Sequence, residues 1–451
     1  MKKIFTLFVA AVAAVTMSAK TAESGSCGTN LTWAFNASTG VLTITGTGPM
    51  TDYSTDNFAP WYAFNDKVTS LSIEPGITTI GDYAFFGLTK VANKVAIPCG
   101  VTAIGKYAFD MCVAMPSVYI PYGVKTIGDN AFAVCAALKY VIVPYGVTTI
   151  GQNAFAFCTG LKDVSIPATV TTIGDHAFRN CTALEYLLDF ASTPQPINAE
   201  VFEDVEISQC RLCILVEAEA EYESHPVWKG FYVEARSYHG VTPTDHILSY
   251  DFAAGAMTVT GEGSLPDAGN NLYSVAQHPS VLDPRFQVVT LTLSEGLTGI
   301  GSYYFSNYWS LTSVTIPEGV AYINTGAFAN GYSLRSVTIP RSVEIVGDSV
   351  FGGCRSLKTV YNYAVTPQRI NGSVFAEVDQ SRCTLYVPKG SVPAYRAADV
   401  WKDFVIEEMP AQEGVETPSG SPSRGEKVLR DGMLLIERNG KTYNAQGAEL
   451  R

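Results

Sequence analysis

The stretch I-P-Y-G-V-K-T-I-G-D-N-A-F-A-V-C-A-A-L-K-Y-V-I-V-P, Ile120 to Pro144, decides the fold, because the same order of residue types is written again before and after it. Prolines 75, 98, 121, 144 and 167 stand 23 residues apart. The Ile-Gly pairs ending at Gly105, Gly128, Gly151 and Gly174 keep the same beat, as do the Ala-Phe pairs ending at Phe109, Phe132, Phe155 and Phe178. A fixed period of this length marks a repeat protein. In S-V-Y-I-P, Val118 and Ile120 alternate with Ser117 and Tyr119, which is the pattern of a short strand with one buried face. Proline then ends the strand, glycine turns the chain, and the phenylalanine ring fills the interior. One unit cannot bury its own apolar side, so units must stack, adding strands at about 4.8 Å per repeat.

The array recurs. Pro317 and Pro340, with Phe305, Phe328 and Phe351, mark three further units at the same spacing. The flanks are duplicated as well. V-L-T-I-T-G-T-G (Val41 to Gly48) is matched by A-M-T-V-T-G-E-G (Ala256 to Gly263). Thr193 to Glu234 aligns without a gap on Thr366 to Glu407, with 17 identities in 42 positions. Arrays need atypical end units to shield their terminal cores, so these flanks read as caps. The fold class is therefore a β-rich repeat solenoid of two tandem 23-residue arrays, each with β-rich amino- and carboxy-terminal caps. The expected order is a signal peptide at 1–22, a cap at 23–70, the first array at 71–187 and its closing cap at 188–236. A second cap at 237–290, array at 291–360 and closing cap at 361–409 follow, then a linker at 410–425 and a hairpin at 426–451 with Asn439-Gly440 as its turn. The two arrays read as separate stacks with freedom between them.

Composition agrees with a folded, exported chain. Of 451 residues, 47% are hydrophobic and 16% charged, which suits buried cores and excludes a disordered chain. The net charge of -12 is dispersed, which argues against nucleic acid or an anionic membrane as the partner. Lys2 and Lys3, the apolar run Ile4 to Val15 and the small residues near Ala22 form a secretory signal pattern, and no later stretch is apolar enough to be a transmembrane segment. The expected location is secreted or on the outer cell surface.

The repeat consensus carried by Ile120 to Leu138 resembles the BspA-type leucine-rich repeat of bacterial surface proteins, and Cys27 to Met50 with Ala59-Pro60-Trp61 resembles the segment that leads into such arrays. The resemblance covers most of residues 27–409 and implies adhesion to host matrix proteins, host cells or other microbes, with no shared catalytic residues to carry over. The closing K-V-L-R-D-G-M-L-L-I-E-R-N-G-K-T-Y-N, Lys427 to Asn444, resembles the shortened sorting tails of type IX secretion substrates.

Candidate chemistry is accounted for by packing. Cys112, Cys135, Cys158 and Cys181 lie 23 apart and form one column, with Cys354 at the equivalent place in the second array. Buried cysteine behaves there as a small hydrophobe, and parallel stacked side chains seldom offer a disulfide torsion. Cys210 and Cys213 make a single C-x-x-C whose duplicate keeps Cys383 but has Tyr386. No catalytic pair, metal ligand set or cofactor motif can be placed. Departures from the columns point to binding instead: Tyr119, Tyr140 and Ile142 on the outward side of the strands, with Tyr122 and Tyr145 after the strand prolines, form a candidate partner surface. The expected function is a surface adhesin or interaction scaffold for an extracellular protein. A carbohydrate-binding surface protein is the alternative, since tyrosines also suit glycan rings, and a hydrolase with an unrecognised site ranks third.

Overall fold

Each repeat contributes two short strands, and both ladders keep the 23-residue register. In the computed structural model, which describes residues 24–236, 240–241, 246–267, 284–409, 426–430, 433–438, 441–444 and 449–450, Tyr140 pairs with Asp163 and Val141 with Val164 in parallel. Val95–Ala96 pairs likewise with Val118–Tyr119. A second parallel ladder runs through Ile77–Ile80, Ala103–Ile104, Thr126–Ile127, Thr149–Ile150 and Thr172–Ile173. The signal-peptide and linker readings lie outside the described residues.

Between the ladders the phenylalanine column forms one continuous stack. Phe85, Phe109, Phe132, Phe155, Phe178 and Phe202 follow at centroid spacings from 5.1 to 5.6 Å. Phe305, Phe328, Phe351 and Phe375 repeat this in the second array. Offset stacking of this kind adds about 1 kcal/mol per pair beyond burial. The cysteine column lines the same core: Cys112, Cys135, Cys158 and Cys181 donate to the carbonyls of Phe85, Phe109, Phe132 and Phe155. None of the cysteines forms a disulfide among the described residues. Burial pushes the thiols of Cys112, Cys135 and Cys181 upward, which keeps them protonated.

The duplicated flanks end this stack in a shared way. In the first closing cap, Phe202 meets Trp228 and Phe231 edge to face, and Trp228 Nε1 donates to Gln195 O at 3.0 Å. In the second, Phe375 meets Trp401 and Phe404, and Trp401 Nε1 donates to Gln368 O at 2.9 Å. Among the residues shared by the two caps, T-P-Q (Thr193 to Gln195), V-F (Val201-Phe202) and V-W-K (Val227 to Lys229) are the parts of this lid. Arg211–Leu215 and Tyr232–Arg236 extend the first strand ladder, so the cap lengthens the sheet while covering the core. At the opposite end, Ser24–Gly28, Leu31–Asn36 and Val41–Gly46 form an antiparallel cap whose last strand pairs in parallel with Ser70–Ile73.

The second module has a nine-stranded sheet from Gly240–Val241 to Val405–Glu408 and a back ladder of Gly263–Ser264, Leu297–Ile300, Tyr322–Ile323 and Ile345–Val346. The two modules keep separate sheets, yet residues through Glu408 form one compact unit. The expected freedom between stacks is replaced by direct packing, described below. Residues 409–451 form a second unit, a four-stranded antiparallel sheet of Glu426–Arg430, Met433–Arg438, Lys441–Asn444 and Glu449–Leu450. The expected hairpin is its middle pair, closing on Arg438 and Lys441, while its turn residues lie outside the described residues.

Candidate binding surfaces

The strand-face tyrosines are used within the chain. Tyr119 is only 6% exposed, its ring edge-on to Trp309 at 5.7 Å and to Tyr332 at 5.2 Å, with its hydroxyl 3.2 Å from Ser333 Oγ. Burial raises its phenol well above the ordinary tyrosine range. Tyr145 donates to Ala253 O at 2.8 Å, and its ring lies 3.0 Å from where a Cβ on Gly255 would stand, so only glycine fits that loop at φ +62°. Around them, Gln287 Nε2 reaches Val143 O and Ser165 Oγ, Arg335 donates to Cys99 O, and Phe252 stacks on Phe190 at 4.4 Å. Lys94 Nζ sits 5.0 Å from the Trp309 ring centroid, a cation–π contact. Tyr119 and Tyr145 are thus corrected from partner-facing residues to parts of an internal junction: the outward side of this strand face is where the second module docks. Tyr122, Tyr140 and Ile142 remain half-buried beside it.

A different edge of the first array carries the exposed apolar surface. Two turn positions per repeat adopt left-handed backbone. One column is Tyr83, Tyr107, Asn130, Asn153 and His176, with φ between 52° and 61°. The other is Gly87, Met111, Val134, Phe157 and Asn180, with φ from 58° to 72°. Asparagine and glycine tolerate this conformation, whereas other residues lose about 1–2 kcal/mol to the clash of Cβ with the carbonyl. The second array obeys the preference, placing Asn307, Asn330 and Gly353 in the second column. The first array instead places Met111, Val134 and Phe157 there. Met111 is 37% and Phe157 40% exposed, so strained positions keep large apolar side chains partly in contact with solvent.

These side chains form a strip along consecutive repeats. The amides of Met111, Val134 and Phe157 donate to the carbonyls of Ala133, Ala156 and Arg179, each next to the following member of the column. At one end Phe58 stacks on Tyr62 at 4.1 Å and on Phe86 at 5.8 Å, and Tyr83 stacks on Tyr107 at 4.6 Å. At the other, the Arg179 guanidinium covers Phe157 at 5.6 Å and pairs with Glu203 at 3.0 Å. Lys106 and Asp129, 2.9 Å apart, and His176 with Glu203 add charged groups at the edge. Beneath Met111 lies Asp110, buried where neighbouring repeats have Ala133 and Ala156, its carboxyl pushed up to about 7 by desolvation. Sequence reasoning weighed only the strand face and missed this strip. Its signal was legible two residues after the column phenylalanine: Met111, Val134 and Phe157 in the middle of the first array, against Gly87 and Asn180 at its ends and Asn307, Asn330 and Gly353 in the other.

Among the described residues no group of three His, Cys, Asp or Glu side chains is placed to hold a metal, and no helix is long and apolar enough to cross a membrane. Cys210 and Cys213 are both buried in the first closing cap.

Comparison with known proteins is consistent with this geometry. The BspA type leucine rich repeat region model matches residues 60–185 and 285–382 in six copies. No curated protein matches. The chain is similar to a leucine-rich repeat protein from Eubacterium ventriosum at 20% identity over 82% of this chain and 79% of that one, with a TM-score of 0.32. It is also similar to one from Bacteroides ovatus at 20% identity over 74% and 94%, TM-score 0.25. A leucine-rich repeat protein of T. pallidum shows 25% identity over 35% of this chain and 67% of that one, TM-score 0.25.

Proposed function

The two arrays are BspA-type leucine-rich repeats, and from that premise we propose that this chain is a secreted or cell-surface adhesin whose first array binds a protein partner through the strip of Met111, Val134 and Phe157. The observation that carries the reading is the strain: three apolar residues occupy left-handed positions, partly exposed, where the duplicate array uses asparagine and glycine. Strain retained at partly exposed positions is characteristic of functional sites. Apolar residues ringed by charged pairs, with Arg179 over Phe157, also have the composition of an interface core and rim. The repeats are a scaffold for protein interaction, and the partner class is an extracellular protein on host matrix, host cell or another microbe.

The test uses the mature chain against matrix proteins, epithelial cells and bacterial cells, beside a variant carrying Met111→Asn, Val134→Asn and Phe157→Asn. These changes relieve backbone strain, so the variant should melt at or above the wild-type temperature while losing at least about tenfold in affinity, the loss expected for a few hot-spot residues. Equal binding by the two would remove the strip from the reading. Absence of saturable binding by the wild type to every surface would remove the adhesin.

The stacked rings of Phe58, Tyr62, Phe86, Tyr83 and Tyr107 support a second reading, a glycan ligand, because ring faces at this spacing suit sugar faces. Glycan-array binding lost on Tyr62→Ala and Tyr83→Ala, but kept in the asparagine variant, would favour it.

A further inference from the structure

The back ladder of the second array stops at Ile345–Val346, the last strand in its sheet. In the preceding repeat the carbonyls of Ala321 and Ile323 accept amides of Glu344 and Gly347. The corresponding carbonyls, those of Glu344 and Val346, have no following strand beside them among the described residues. At this edge lies a groove of about 690 Å³ with Val343, Val346, Ala364 and Pro367 in its lining. Ile345 and Val365 stand beside it, 62% and 70% exposed. Arg341 and Arg369 also line it, and neither is in an ion pair or side-chain hydrogen bond among the described residues.

The duplicate module shows which of these residues the fold requires. Moving back 173 positions, the floor is kept: Val343, Val346, Ala364, Pro367 and Gln368 answer to Val170, Ile173, Ala191, Pro194 and Gln195. The glutamine bond is kept too, Gln195 Nε2 reaching Val170 O at 3.3 Å and Gln368 Nε2 reaching Val343 O at 2.9 Å. The rim is not kept. Arg341, Ile345, Val365 and Arg369 stand where the first module has Ala168, Thr172, Ser192 and Pro196. Five rim replacements around a floor altered only from Ile173 to Val346, two exposing large aliphatic side chains, two adding cations and one placing Glu344 at the site of Thr171, are not demanded by an architecture that the first module builds without them.

We propose that this edge binds an extended segment of another protein, which adds as a strand beside Ile345–Val346, lays an apolar side chain in the groove and sets carboxylates against Arg341 and Arg369. Charge selects the occupant: two arginines outweigh the single Glu344 at the rim, so an acidic, apolar strand is complementary and a basic one is repelled. A second copy of this chain is a poorer fit, because the turn of its own opening cap, Asn36 to Gly40, offers neither an acid nor a large apolar residue. The site is distinct from the strip on the first array.

The experiment titrates the mature full chain with a fluorescent octapeptide alternating glutamate with valine, and with the same peptide carrying lysine for glutamate. The pair Ile345→Thr and Val365→Ser installs the residues of the first module, so unaltered melting is expected. Saturable binding of the acidic peptide below about 1 mM, weakened at least tenfold by that pair and by Arg341→Ala with Arg369→Ala, is the expected result. No binding by about 1 mM, equal binding of acidic and basic peptides, or binding indifferent to both pairs would overturn the proposal. Sedimentation completes the test: concentration-dependent self-association abolished by Ile345→Thr and Val365→Ser would assign the groove to a second copy and also overturn it.

Discussion

Replacing Asp189 by asparagine should make the protein more stable above pH 6, and the duplication shows why. Asp189 sits at the entry to the first closing cap, fully buried, accepting hydrogen bonds from Ala191 N at 3.1 Å and Gln195 Nε2 at 3.3 Å. Gln195 Oε1 nearby is buried with no hydrogen-bond partner. In the second cap the same place holds Asn362, which accepts from Ala364 N at 3.2 Å and donates its Nδ2 to Gln368 Oε1 at 2.8 Å. Asparagine therefore satisfies the glutamine carbonyl that an ionised aspartate cannot. Burial pushes the Asp189 carboxyl up to about 6 from an ordinary 3.8, despite the hydrogen bonds that favour its charged form. A folded-state value above the unfolded one means that the native protein holds the proton more tightly between the two. Stability contributed by this group is full below pH 4, falls as pH rises toward 6, and stays low beyond. A difference of about 2 pH units sets the loss at about 3 kcal/mol, and satisfying Gln195 Oε1 adds about 1 kcal/mol. Urea midpoints of wild type and Asp189→Asn between pH 4 and 8 test this, since all other titrating groups cancel in the difference. The variant should gain little at pH 4 and most at pH 7 to 8, and Asn362→Asp should show the mirror-image loss. Parallel curves across that range, or a less stable Asp189→Asn at pH 8, would refute the reasoning.

Three further outcomes are expected. Val134→Asn should raise stability by about 1 kcal/mol, because asparagine suits φ +58° and a β-branched side chain does not; a lower melting temperature would count against the strain. Asp110→Ala should stabilise at pH 8 more than at pH 5, since a carboxyl held at about 7 penalises the fold increasingly from pH 4 to 7; a pH-independent difference in urea midpoint would contradict this. Tyr119→Ala removes the ring contacts to Trp309 and Tyr332 and the bond to Ser333, at a cost of about 3 kcal/mol, and amide exchange near Trp309 and Tyr332 should quicken while exchange at Phe132 and Phe155 does not; unchanged exchange at the junction would show that it is not held by this side chain.

The solenoid was legible because stacking imposes the same demand on every unit, so the columns of Pro, Ile-Gly, Ala-Phe and Cys announce themselves at a fixed interval. The caps were legible through duplication, and T-P-Q, V-F and V-W-K prove to be the glutamine, phenylalanine and tryptophan of one lid. What alternation could not convey is which neighbour an outward side chain meets. Tyr119 points out of its own strand as expected, but Trp309 arrives from 190 residues further on. No local pattern encodes that contact. The strip was hidden for another reason: its strain lies in backbone sign, and Met111, Val134 and Phe157 look like ordinary hydrophobic filling until the second array shows asparagine and glycine in their place.

Each departure between the modules has a consequence for where a partner can bind. The outward strand face of the first array is spent on the second module through Tyr119, Gln287 and Tyr145. The equivalent face of the second array presents Thr292, Thr315 and Thr338 before ending in the stacked pair Tyr361 and Tyr386, 5.0 Å apart, so most of it is polar hydroxyl surface. Exposed apolar side chains stand in the turn strip of one array, at Met111 and Phe157, and at the sheet edge of the other, at Ile345 and Val365. These share no residue. Losses of affinity from Phe157→Asn and from Ile345→Thr with Val365→Ser should therefore simply add if one ligand spans both sites, and should separate completely, each abolishing a different ligand, if the sites serve different partners. A measured coupling between them would require a physical link through the junction, and Tyr119→Ala, which loosens that junction without touching either site, is the variant that would expose it.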